Sequence, residues 1–152
     1  MIESILNNCL VTRTSLPAAT ATTPITGGDI IDLASPTDGV FDSVCFVALL
    51  GDVVDTCVAT LKAFCGNAAN LSDGAYKATV ATVTATSDPA FADNNLLILD
   101  VVEPGKRYIR ADLTRTPAGC VLDSIIAIRY NARTMPTRTV ASIADGKVAI
   151  AD

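Results

Sequence analysis

The chain has 152 residues, enough for one domain that can bury a sizeable core, and a formal net charge of −5. Half of the residues are hydrophobic, but only 5% are aromatic and tryptophan is absent, so Val, Ile, Leu, Ala and Thr must build the core, a composition typical of pleated sheet. The acidic balance argues against nucleic acid as a partner, and the absence of histidine removes the usual general base and the commonest transition-metal ligand. We therefore expect no catalytic centre and no cofactor.

Neither secretion nor membrane insertion is expected. The start Met1-Ile2-Glu3 lacks the basic residues of a signal peptide, and no apolar run approaches the roughly 20 residues that cross a bilayer. We expect a soluble protein made in the cytoplasm, with no membrane partner. The cysteines are five in number and contain no CxxC pair, which predicts free and mostly buried thiols at Cys9, Cys45, Cys57, Cys65 and Cys120.

Residues 1–28 are rich in Thr, Ala and Pro, show little periodicity and end at Gly27-Gly28. This composition favours extended backbone and predicts an N-terminal arm. Two interpretations stay open: a disordered terminus, or an arm that orders only against a neighbouring subunit. Four apolar residues support the second, since a purely solvated tail would not need them: Ile5, Leu6, Leu10 and Val11.

The main domain is predicted at residues 29–136. A short strand at 29–33 precedes residues 41–50, whose apolar residues on both faces indicate a strand in mid-sheet or beneath a partner. Residues 54–65 fit both the alternation of a half-buried strand and a helical stripe, and their Thr and Val content favours a strand. Another strand follows at 76–86.

Residues 95–131 read as a three-stranded antiparallel meander. Its strands are separated by turns at 103–106, where Pro104 and Gly105 suit a type II turn, and at 116–119. A C-terminal tail, residues 137–152, carries only a weak strand signal. Seven or eight short antiparallel strands with regular turns predict an all-β, single-domain β-sandwich or jelly-roll-like barrel.

The acidic residues suggest no metal or catalytic site, because the aspartates are scattered among loops without the spacing of a calcium loop. The basic residues are more clustered. Seven of the eleven positive charges lie between positions 106 and 138: Lys106, Arg107, Arg110, Arg115, Arg129, Arg133 and Arg138.

Two interpretations of this cluster stay open. The charges either form ordinary cross-strand ion pairs on a solvated sheet face, or make a basic face that docks onto an acidic protein surface. For the second case we predict a protein interface at Lys106, Arg107, Tyr108, Arg110, Arg129 and Arg133. On the last strand, simple alternation places Leu122, Ile126, Ile128 and Tyr130 on one face and Asp123 and Arg129 on the other.

The motif Lys-Arg-Tyr-Ile-Arg at 106–110, a Thr/Pro/Gly turn, the apolar run 125–128 and the closing Pro136 together resemble a family of small tailed-bacteriophage head-associated structural proteins. The segment Asp42-Ser43-Val44-Cys45-Phe46-Val47 followed by Leu50-Gly51 is similar as well, where the family has a buried strand ending in a glycine, so the resemblance spans about residues 28–137. It implies a capsid decoration (cement) protein on the outer surface of the virion, made in the host cytoplasm. Its implied partners are the major capsid protein and further copies of the chain, as a trimer.

Other classes of function stay open beside this one. A tail or neck connector protein would have the same composition. A β-sandwich that binds a carbohydrate or a receptor is the other alternative, although three Tyr, four Phe and no Trp are a poor supply for sugar stacking. An enzyme ranks last, because histidine is absent and the acidic residues show no paired spacing.

Overall fold

The computed structural model describes residues 8–85 and 92–134, which form ten strands in two antiparallel sheets packed as a β-sandwich. The all-β sandwich prediction is therefore confirmed. Sheet A contains, in spatial order, β1 (Leu10–Ser15), β10 (Cys120–Thr134), β5 (Gly39–Val53) and β4 (Ala34–Ser35), with β2 (Ala18–Ala21) also paired to β10 and β8 (Leu96–Val102) also paired to β5. Sheet B has the order β3 (Ile31–Asp32), β9 (Tyr108–Thr116), β6 (Val58–Gly66) and β7 (Ala75–Thr84).

The core lies between the sheets and follows the alternation of the strands. On β5, Val44, Phe46 and Ala48 are fully buried, and the strand sits between β10 and β8, as its apolar sequence predicts. On β6, Leu61 and its alternate neighbours point inward, so the strand interpretation of residues 54–65 is confirmed over Val58–Gly66. The buried residues of both sheets form one hydrophobic cluster, which contains only two phenylalanines, Phe41 and Phe46.

The predicted meander is wrong, although its three strands exist. β8 pairs with β5, β9 pairs with β6 and β3, and β10 pairs with β5 and β1, so the chain crosses to the other sheet at each turn. Gly105 has the positive φ of +68° that the predicted turn requires. The turn residues explain why the chain reverses after β8. They do not determine which strand β9 pairs with, because the connection at 103–107 is long enough to span the ~10 Å between the two sheets.

Residues 8–28, the described part of the N-terminal segment, are paired within the chain and so match neither interpretation given above. Within one chain, β1 and β2 pair with β10, and Ile25 then exchanges backbone hydrogen bonds of 2.8 and 2.9 Å with Leu113 of sheet B. The segment therefore passes from one sheet to the other and closes an edge of the sandwich. Leu10, 4% exposed, is part of the core, whereas Ile5 and Leu6 lie outside the described residues.

A β-bulge changes the faces of β10. The register with β5 shifts between Leu122 and Ser124, so the side chains that face the core are Leu122, Ile125, Ala127 and Arg129. Ile126 and Ile128 point outward, opposite to the predicted arrangement. One extra residue in a strand reverses the phase of every side chain that follows, and a sequence pattern of period two does not reveal it.

Several predictions fall outside the described residues: part of the loop before Asn95, the closing Pro136 and the whole tail 137–152. All five cysteines are free, with Cys57, Cys65 and Cys120 buried and Cys9 and Cys45 partly exposed. In the part of the chain that the structure describes, no helix is long and apolar enough to cross a membrane.

Candidate interaction surfaces

Three of the six predicted interface residues line one cleft, of about 440 Å³. Lys106, Arg107 and Arg133 contribute to its wall together with the acidic residues Asp42 and Glu103. The Nε atom of Arg133 lies 2.7 Å from a carboxylate oxygen of Asp42, and this arginine side chain is 72% exposed. The cleft therefore contains both signs of charge, and one of its arginines is already paired.

Arg107 also has a carboxylate partner within the chain. Its Nε and Nη2 atoms donate hydrogen bonds of 2.9 and 2.8 Å to the two carboxylate oxygens of Asp32, and its guanidinium lies 5.0 Å from the centre of the Tyr108 ring. These hydrogen bonds hold the pKa of Asp32 below its ordinary value and raise the pKa of Arg107. This bidentate pair ties β3 to β9 at the edge of sheet B.

Arg110 lies on the outer face of sheet B in a group that we call the sheet B cluster: Phe64, Tyr76, Arg110 and Asp112. Arg110 binds Asp112 through Nε at 2.7 Å and Nη2 at 3.0 Å, and its guanidinium lies 5.4 Å from the Phe64 ring centre. The Tyr76 hydroxyl donates a 2.9 Å hydrogen bond to the same carboxylate. Burial, followed by this hydrogen bond, raises the pKa of Tyr76.

Arg129 is buried between the sheets, at 4% exposure, so its side chain is not available for a protein interface at the surface. Its Nη1 atom donates to the Asp32 carbonyl at 3.3 Å and to a carboxylate oxygen of Asp38 at 3.4 Å, and its Nη2 atom donates to the Thr12 hydroxyl at 3.2 Å. Desolvation lowers its pKa. Arg129 thus joins β1 to the loop before β5, a structural role.

The four ion pairs found among the described residues account for Arg107, Arg110, Arg129 and Arg133. Each carboxylate comes from the same chain, so these arginines do not form an unopposed basic face. This result matches the ion-pair interpretation of the cluster. A role for Lys106, Arg107, Tyr108, Arg110 or Arg133 in a protein interface stays a prediction.

The outer face of sheet A carries three of the exposed large hydrophobic residues of the described structure, all on β8. The antiparallel register aligns its side chains in rows. Two rows cross β1, β10, β5 and β8: Arg13, Ile126, Val47 and Ile98 form one, and Val11, Ile128, Cys45 and Asp100 form the next. Two shorter rows cross β10, β5 and β8 on either side of these: Ser124, Leu49 and Leu96 on one side, and Tyr130, Ser43 and Val102 on the other. On β8 the exposures reach 55% for Leu96, 58% for Ile98 and 63% for Val102.

Two charges of opposite sign flank this face, Arg13 on β1 and Asp100 on β8. Arg13 takes part in none of the ion pairs among residues 8–85 and 92–134. The Tyr130 hydroxyl donates a 2.7 Å hydrogen bond to Asp100. Burial, followed by this hydrogen bond, raises the pKa of Tyr130.

The outer face of sheet A is not among the predicted sites, yet the sequences of β5 and β8 contain a signal for it. Residues 44–50 are apolar without interruption and residues 96–102 are apolar except for Asp100, although a sheet needs only one apolar face for its own core. Two neighbouring strands with apolar residues on both faces therefore indicate a second buried surface. No cluster of three or more metal-ligating side chains occurs within the described ranges.

Comparisons with known proteins add little. No family model matches the sequence, and no curated protein matches it. Among solved structures, the chain is similar to a "xylan-binding module CBM15", with a TM-score of 0.42 and 16% sequence identity over 86% of this chain and 95% of that chain. A likeness of this extent carries no argument about function.

Proposed function

We propose that this protein is a non-enzymatic structural protein of a virus particle, a capsid decoration protein that binds the assembled shell. The observation that carries the proposal is the apolar outer face of sheet A, where Leu96, Ile98 and Val102 are more than half exposed. Contiguous apolar patches of this kind mark protein interaction sites. An assembly protein requires such a surface and no catalytic centre.

The virion assignment rests on the resemblance carried by the motif at 106–110 and its neighbouring strands. The structure adds two features that suit this role. Buried Arg115 and Arg129 hydrogen-bond the N-terminal segment to the sandwich. The cleft with Lys106, Arg107 and Arg133 also takes Asp42 from β5 and Arg133 from β10, so it lies at the end of these strands, next to the outer face of sheet A. A shell can contact the charged cleft while a further partner covers the apolar face.

A decoration protein stabilises a shell by binding the assembled state and not its free subunits. The test is co-sedimentation of the full chain with shells of the phage that encodes it, compared with their unassembled subunits. We expect saturable binding to shells at a fixed stoichiometry and none to subunits. Lys106→Glu should weaken binding several-fold if the cleft contacts the shell, whereas Lys62→Glu on sheet B is the matched control. Absence of shell binding would contradict the proposal, and binding to tails instead would favour a connector protein.

The sheet B cluster supports a second candidate, a ligand-binding module. Tyr76 is 51% exposed beside Phe64, Arg110 and Asp112, and aromatic rings with nearby polar groups bind sugars. The geometry is less suitable than this composition suggests. The Tyr76 ring is tilted by 59° against the Phe64 ring, and the Tyr76 hydroxyl already donates a hydrogen bond to Asp112. In addition, Lys62 Nζ lies 5.8 Å from the centre of the Tyr76 ring.

Affinity electrophoresis against a panel of soluble polysaccharides tests this candidate. Retardation of the wild type that is lost in Tyr76→Ala but kept in Tyr108→Ala would support a sugar site at the sheet B cluster. Equal mobility of all three proteins on every polysaccharide would contradict it.

A further inference from the structure

We propose that the outer face of sheet A binds a second copy of this chain, with the two faces packed across a two-fold axis parallel to the strands. The inference rests on the proposed function only in treating this face as an assembly surface. It names the partner as one second copy of the chain, in place of the trimer that the resemblance implies. It is carried by the apolar rows of the face and by the positions of Arg13 and Asp100.

The size of the face fits a partner sheet. Four strands at about 4.8 Å spacing, over the seven residues of β8 at about 3.3 Å each, span roughly 19 by 23 Å. A face of roughly 440 Å² on each copy buries roughly 880 Å² in total, the size of a weak interface, so the dimer should dissociate on dilution. Sheets pack face to face through alternate apolar side chains, as the two sheets of this sandwich do. A second copy supplies such a face without any other protein.

The two charges determine which symmetry is possible. Arg13 stands on β1, at one edge of the face, and Asp100 on β8, at the other edge, one row further along the strands. A two-fold axis parallel to the strands places β1 of each copy over β8 of the other. Adjacent same-face rows are about 6.6 Å apart, a distance that an arginine side chain covers. Arg13 of each copy can then pair with Asp100 of its partner, and the contact is made twice.

Other arrangements of the two faces lack this match. A two-fold axis that lies in the interface but crosses the strands places β1 over β1 and β8 over β8, so like charges approach. Opposite charges at the rim of an apolar interface select register and orientation more than they add affinity. The Tyr130 hydroxyl donates a 2.7 Å hydrogen bond to one carboxylate oxygen of Asp100, which leaves the other oxygen to accept from Arg13 of the partner.

The test is sedimentation velocity of the full chain over a hundredfold range of concentration. We expect a dimer that dissociates on dilution. Ile98→Asp, which places a charge at the centre of the β8 row, should raise the dissociation constant at least a hundredfold while the circular dichroism spectrum is unchanged. Val80→Asp is the matched control, because Val80 is also an exposed strand residue, at 44%, but lies on sheet B. It should leave the dimer intact.

Charge exchange tests the orientation. Arg13→Asp alone and Asp100→Arg alone should each weaken the dimer about tenfold or more, and the double variant should recover most of that loss. Maleimide labelling of Cys45, a partly exposed thiol at the middle of the face, provides a separate measurement. Labelling should be slow in the wild-type dimer and fast in Ile98→Asp.

A monomer at every concentration would overturn the inference, as would a dimer that Ile98→Asp leaves intact. A monomeric wild type whose shell binding is lost in Ile98→Asp would assign the face to the shell and also overturn it. The proposed function is judged separately: a dimer that binds no shell would refute that proposal and leave this inference standing.

Discussion

The guanidinium of Arg115 donates two hydrogen bonds to the backbone carbonyl of Thr23, from Nε at 3.2 Å and from Nη2 at 2.9 Å. Its Nη1 atom reaches the carbonyls of Ala19, at 2.9 Å, and Cys120. One buried side chain, 3% exposed, thus binds both the N-terminal segment and the start of β10. This arrangement explains how a segment poor in large apolar residues is ordered against its own sandwich.

Replacement of Arg115 should therefore release the segment. Arg115→Ala removes the donors of three carbonyls, and we expect the free energy of unfolding in urea to fall by at least about 3 kcal/mol, since hydrogen bonds to a charged group contribute about 1.5–3 kcal/mol each and are not fully additive. Proteolysis within residues 16–27 should become faster. Arg133→Ala, which removes an exposed pair, is the control and should cost less than about 1 kcal/mol. Equal stability of both variants would contradict this account.

Gly119 provides an independent test of the same segment. A Cβ atom at this position would lie 2.8 Å from the backbone carbon and oxygen of Ala21, too close for β2 to keep its place. We expect Gly119→Ala to destabilise the protein by about 1–3 kcal/mol, the usual cost of overpacking. At Gly27 an added Cβ meets nothing within 4 Å, so Gly27→Ala is the matched control. An unchanged midpoint of thermal unfolding in Gly119→Ala would show that β2 does not lie against Gly119 as described.

The sequence was sufficient to predict most strands but not their pairing. Residues 96–102 and 108–116 have the composition and turns of neighbouring strands, yet they lie in different sheets, because local turn chemistry does not determine which sheet a strand joins. The reversal of the faces of β10 came from a single bulge after Leu122.

The candidate site was less predictable than the fold. Clustering along the sequence suggested a basic face, but Asp32, Asp38 and Asp42, which neutralise three of the arginines, come from β3, the loop after β4 and the start of β5. Such long-range pairing becomes visible only once the strands are placed. The apolar outer face of sheet A likewise depends on the register of four strands.

Alkaline pH should destabilise the protein through its buried thiols. Burial raises the pKa of Cys120 from 9.0 to about 11. The Cys120 thiol therefore loses its proton at a lower pH in the unfolded state than in the folded state. Its contribution to the stability of the fold is complete below about pH 9 and is lost as pH rises through the folded-state pKa. Urea unfolding at pH 8 and pH 10.5 should show a larger loss of stability for the wild type than for Cys120→Ala. The same loss in both proteins would exclude Cys120 as a cause.

The Arg107–Asp32 pair gives a prediction at acid pH. The hydrogen bonds from Arg107 lower the pKa of Asp32, so the pair stabilises the fold above pH 4 and this contribution is lost as pH falls further. Arg107→Gln should raise the pKa of Asp32, measured by carboxyl-carbon NMR. Asp73 is the internal control, because backbone hydrogen bonds from Ala68 and Asn67 lower its pKa and the substitution leaves them intact. An unchanged Asp32 titration would contradict the assigned pairing.

The most direct test of the central claim is the thermal disassembly of shells with and without this protein. A ligand that binds only the assembled state must stabilise that state by mass action. We predict that the disassembly temperature, followed by light scattering, rises with added protein and levels off at saturation. A disassembly temperature that does not change at saturating protein would contradict the assignment as a decoration protein.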